Sequence, residues 1–179
     1  MNNHTVEQSA FTYFFTTNTK SAPFWLIVRL YLGYEWLTAG LDKVMNPAWF
    51  GSDAGAALNS FVQGSLGKTG GAHPDVQMWY AAFLKSMVLP HLVTWSNLVT
   101  VGEVLVGVGL IIGLFTGVAA FFGFFMNLNF MLAGTVSINP ILLILALGLI
   151  LARRIAGHWG IDRYARPFLK RKSLSRRLQ

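Results

Sequence analysis

The sequence predicts an all-α membrane protein, a four-transmembrane-helix bundle with short amphipathic helices in its first external segment. Three observations predict it. The 179-residue chain is 54% hydrophobic and only 12% charged, about half the charged fraction of a soluble domain. The apolar residues collect in four runs, each close to the roughly 20 residues that cross a hydrocarbon core of about 30 Å. Nine of the fourteen Lys and Arg residues fall after Leu151, directly behind the last run. A basic segment in that place reads as a cytoplasmic flank, not as a nucleic-acid surface, in spite of the net charge of +7.

Taken in order, residues 1–22 read as a cytoplasmic tail. The stretch has no short apolar core followed by a small-residue cleavage site, so no secretory signal is expected. Pro23 suits the first turn of a helix and opens the first span, 23–41. Residues 42–91 form an external segment. In it, Ser52 and Asp53 offer caps to one amphipathic stretch. After the turn-rich "GKTGGAHP", a second places Val76, Tyr80, Phe83, Leu84 and Met87 at helical spacing until Pro90 stops it. Both should lie at the interface, with Trp49, Trp79 and Trp95 as an outer aromatic belt and Trp25 and Trp159 as an inner one. Spans at 92–114, 116–134 and 138–156 follow, joined by links too short for anything but antiparallel neighbours. A single four-helix domain therefore covers 23–156, and 157–179 is a basic cytoplasmic tail. An even number of spans puts both termini on the cytoplasmic side of the cell membrane, with the lipid bilayer as the first partner.

Absence of cysteine removes disulfides, thiolate metal sites and covalent haem attachment from this chain. The four histidines have no ligand spacing and there is no Gly-rich nucleotide loop, so no metal site is expected.

The candidate chemistry lies in "GYEWLTAGLDKV" and what faces it. Counting about 1.5 Å per residue puts Glu35, Glu103, Asn127 and Asn129 near one depth, close to the bilayer middle. Ionisable groups there carry an insertion penalty of at least about 2.5–3.5 kcal/mol each and need partners. Glu35 and Glu103 are expected to work together, with Arg29 as the available cation. Asn127 and Asn129 are two residues apart, so only one should line the same space. Asp42 and Lys43 would end the first span at the outer surface. Helix-to-helix hydrogen bonding, with Gly109 and Gly113 as a small-residue contact, accounts for part of the same pattern without any chemistry.

The segments "RLYLGYEWLTAGLDKVMNPAWF", "GGAHPDVQMWYAAFLKSMVLPH", "VGEVLVGVGLIIGLFTGVAAFFGFFMNLNFMLAGTVSINP" and "RIAGHWGIDRY" resemble the DoxX/DoxD family of small four-helix membrane proteins, over about residues 23–164. Within it, the long external segment and "MNLNFMLAGT" look like members described as the DoxD large subunit of thiosulfate dehydrogenase (quinone). The resemblance implies a membrane oxidoreductase subunit that passes electrons from thiosulfate to membrane quinone, with tetrathionate as product, beside a small partner subunit. It leaves any bound electron-carrying group unspecified and leaves room for a homo-oligomer. On that reading Glu35, Glu103 and Arg29 are the catalytic candidates. Trp36, Asp42, Lys43, Trp95, Asn127 and Asn129 are the candidates for binding substrate or quinone. Two other classes stay open: a non-catalytic scaffold that docks a redox partner, and a pathway for small solutes or protons.

Overall fold

The computed structural model describes residues 9–164, and every regular element in them is helical. The helices are α1 (Ala10–Thr17), α2 (Ala22–Val44), α3 (Ala56–Leu66), α4 (Met78–Phe83), α5 (Leu92–Ile112), α6 (Thr116–Leu132), α7 (Asn139–Leu151) and α8 (Arg153–Ala156). The four long ones form a ring: α2 packs on α5 and α7, and α6 packs on the same two.

Glycine sets how closely α2 and α5 approach. A Cβ on Gly107 would lie 2.5 Å from the backbone nitrogen of Leu37, and one on Gly40 would lie 2.8 Å from that of Val104. Gly33 faces Ile111 in the same way. These pairs fix an antiparallel register, and α5 against α6 follows suit, with Gly109 opposite Ala119 and Gly102 opposite Met126. Backbones this close leave no room for rotation or sliding, so side chains at the seam have determined neighbours.

The ring is apolar outside as well as in. Ile27, Tyr34, Leu105, Phe122, Ile144 and Leu151 all stand exposed on its flanks. Helices that are hydrophobic all round suit hydrocarbon, where their backbone groups are already satisfied. The continuous helical segment Met78–Ile112, 35 residues, is long and apolar enough to cross a membrane. Of the other three, α2 has the length, with 23 residues, but carries Arg29, Glu35, Asp42 and Lys43. The apolar helices α6 and α7 are shorter, at 17 and 13 residues. The run expected as one span over 138–156 turns at Ala152 between α7 and α8.

Pro90 does not stop the helix that begins at Met78. A π turn over Leu84–Val88 and a 3-10 turn over Leu89–His91 carry α4 into α5 without a break. The proline sits near the start of that last turn, where its missing N–H is tolerated, and the indole of Trp95 donates to the Met87 carbonyl at 2.9 Å. The extra residue of the π turn also turns the apolar face: Val88 is buried and Met87 is exposed. Ser52 and Asp53 do not cap α3, which starts from Gly55 at φ 98°. Together α3 and α4 close one end of the bundle. Leu58, Val62, Val76, Tyr80, Leu84 and Val88 form one cluster there with Ala133 at the end of α6.

At the opposite end, part of the expected N-terminal tail is helical. Ser9 caps α1, accepting from the Thr12 amide at 3.2 Å. The Trp25 indole donates to the Phe15 carbonyl at 2.7 Å and its ring lies against Gly148. Trp25 is thus buried, not part of a belt. Residues 157–164 fold back over the α5–α6 turn. The rest of the basic tail lies outside the described residues.

Candidate functional site

Lys43, in the last turn of α2, reaches Glu103 on α5. Its Nζ lies 2.8 Å from Oε2, an ion pair across the α2–α5 seam. The α2–α5 register produces this pair, because Gly40 lets α2 close on the backbone of Val104 and the Cβ of Glu103. Glu103 is 1% exposed and Lys43 18%. The ammonium also lies 5.1 Å from the centre of the Trp49 ring, which covers it from the closed end. Ser96, two turns along α5, holds that loop by donating to the Trp49 carbonyl at 2.6 Å. Thr100, buried between them, satisfies its hydroxyl on the Ser96 carbonyl.

An aromatic arc lines the neighbouring seam. Trp36 stacks on Phe130 with ring centres 6.4 Å apart, and Phe61 from α3 meets Phe130 edge-on. Gly123 makes room for the Trp36 indole, whose Nε1 would lie 3.0 Å from a Cβ there. Asn127, on the α6 turn between those two contacts, is 1% exposed. It donates to the Asn139 carbonyl at 2.7 Å, while its Oδ1 has no partner.

The other predicted residues fall elsewhere. Arg29 is not the cation for either glutamate. It is buried at the far end, donating to the carbonyls of Ala156 at 3.2 Å and Trp159 at 3.0 Å. Glu35 is half-buried and forms no ion pair with another described residue. The register puts it level with Gly109 on α5, six residues or about 9 Å from Glu103. Depths counted from each helix start misplace it, because the beginning of α2 runs past the end of α5. Arg29 is already level with Gly113. Asp42 is exposed and points away from Lys43, about 100° round the helix. Trp95 belongs to the cluster under α3 and α4, edge-on to Phe83, and does not meet Trp36. Asn129 leaves the seam and accepts from the Tyr80 hydroxyl at 3.2 Å.

One residue that sequence reasoning passed over organises the end opposite the ion pair. Asp162 accepts from the amides of Phe115 at 2.7 Å and Thr116 at 2.9 Å, which caps α6. Its own amide donates to Gly113, and it acts electrostatically on Arg29. Gly113 and Gly160 meet over the guanidinium, where any Cβ would collide with Nη1. The signal was available in "GHWGIDRY": a lone carboxylate among glycines in a segment otherwise basic.

Comparison with curated proteins returned no match, and neither did comparison with solved structures. A family model described as "TQO small subunit DoxD" matches residues 24–178. Its description is of a small subunit, where the resemblance led us to expect the large one. With nearly the whole length matched, the chain belongs to the DoxD family.

Proposed function

We propose that this chain is the membrane subunit of a quinone-linked oxidoreductase and that it passes electrons from thiosulfate to membrane quinone, with tetrathionate as product. Family membership supports the reaction class. The observation that carries the site is the Lys43–Glu103 pair, with a carboxylate 1% exposed at an apolar seam. Such a pair is retained at a net desolvation penalty, which favours a working role over glue. In this reading α2, α5, α6 and α7 are the four membrane spans. The end closed by α3 and α4 faces outward, and the end holding Arg29, α1 and the basic tail faces the cytoplasm. A partner subunit completes the enzyme.

Each group then has a task. Lys43 attracts the anionic donor, and the Trp49 ring excludes water above it. Trp36 and Phe130 offer flat apolar faces for a quinone ring. Quinone reduction takes up two protons, and Glu103 is placed to pass them inward. Coupling two thiosulfates releases two electrons without a protein thiol, consistent with a chain free of cysteine.

The test is thiosulfate-dependent reduction of a soluble quinone analogue by the purified chain in lipid, alone and with its partner. Wild type should turn over, and a folded Glu103→Gln should lose about 10²–10⁴-fold in kcat. Full activity in Glu103→Gln would remove the ion pair from the mechanism. Absence of turnover under both conditions would favour the scaffold reading.

A further inference from the structure

Lys43 and Glu103 differ sharply in access. The ammonium keeps 18% of its side chain exposed beneath Trp49, while the carboxylate keeps 1%. Of the two groups, the positive charge is therefore the one that a solute reaches first. A small oxyanion suits an ammonium, a point charge with three N–H donors. It does not suit Glu103, because a second negative charge would stand beside a carboxylate that water does not screen.

Among the described residues, nothing packed against Glu103 supplies a second cation. Its partner on α2 is Lys43 itself, and Glu35 lies eight residues, about 12 Å, further along that helix. At this level α6 presents Met126, which lies against Gly102, and the covering loop presents Trp49. Protonation of the carboxylate is the remaining way to neutralise it.

We propose that Lys43 is the receptor for a small divalent oxyanion and that Glu103 takes up one proton as the anion binds. The step balances. The Lys43–Glu103 ion pair opens, the anion takes the carboxylate's place at the ammonium, and a proton from solvent forms one O–H bond on Glu103. No electron moves. The inference rests on the proposed site and adds a coupling to it: binding the donor loads a proton that quinone reduction can consume.

Sulfate is the probe, because it resembles the donor in charge but does not donate electrons, so binding is read apart from turnover. Calorimetric titration of the full chain, in maltoside micelles free of phosphate headgroups, is run in buffers of different ionisation enthalpy between pH 6 and 8. About one proton taken up per sulfate is expected, with affinity falling about tenfold per pH unit. Lys43→Met should abolish binding. Glu103→Gln should bind sulfate with an affinity that no longer depends on pH. Heat that is independent of the buffer would overturn the proposal, as would undetectable sulfate binding or proton uptake that persists in Glu103→Gln. Sulfate displaced by added phosphatidylglycerol would assign the site to a lipid headgroup and equally overturn it. The wild-type series decides the matter even if a variant fails to fold. Thiosulfate turnover without sulfate-linked proton uptake would sink this inference alone, whereas uptake without turnover would sink only the proposed reaction.

Discussion

Asp162→Ala is expected to lower the stability of the folded chain by about 3–5 kcal/mol. Two effects add. The amides of Phe115 and Thr116 lose their acceptor, and loss of a helix cap alone is worth about 1–2 kcal/mol. Phe115 also holds a left-handed backbone, φ 49°, which a non-glycine residue keeps only when its surroundings fix it. The second effect falls on Arg29, 2% exposed and left without the carboxylate that acts on it. Asp162→Asn keeps one acceptor oxygen and should lose about half as much. The measurement is the unfolding midpoint in micelles. An unchanged midpoint in Asp162→Ala would mean that another group caps α6 and that the 157–164 segment is not the closure described above.

Gly107→Ala should destabilise by about 2 kcal/mol, although alanine is the better helix former by about 0.8–1.0 kcal/mol. The added methyl would lie 2.5 Å from the nitrogen and 2.6 Å from the Cα of Leu37. Those are backbone atoms, so α2 itself must move, and with it the Lys43–Glu103 contact. The control is Gly64→Ala in the last turn of α3, where a Cβ would meet nothing within 4 Å. It should stabilise by about 0.5–1 kcal/mol. Equal shifts at the two positions would show that the α2–α5 approach is not limited by Gly107.

Much of the fold was legible because its signals are local. Apolar runs of near-span length, Pro23 at a first turn and short glycine-bearing links each act within a few residues of themselves. Pro90 misled because a local rule was applied to a place where the helix could absorb it. A π turn shifts the hydrogen-bond pattern by one residue, and α4 continues into α5. The cap of α3 misled in a related way. Ser52 and Asp53 have suitable side chains, but the chain turns into the helix at Gly55, and their hydrogen bond is to each other.

For the site, the sequence determined by itself that Glu103 would be internal and would need a partner. The same argument applied to Glu35 failed, because that side chain stays half-buried and forms no ion pair with another described residue. The sequence also determined that Asn127 and Asn129 would diverge, since two residues on a helix are about 200° apart. Only the tertiary structure decided which partner Glu103 has. Arg29 and Lys43 lie on one stripe of α2, fourteen residues apart, and either cation would satisfy a carboxylate in principle. The choice rests on the register between α2 and α5, which Gly33, Gly40 and Gly107 set by letting backbones touch. That register places Lys43 beside Glu103 and leaves Arg29 to Asp162 and two carbonyls at the other end. Register is a property of two surfaces meeting, and no single stretch of chain contains it.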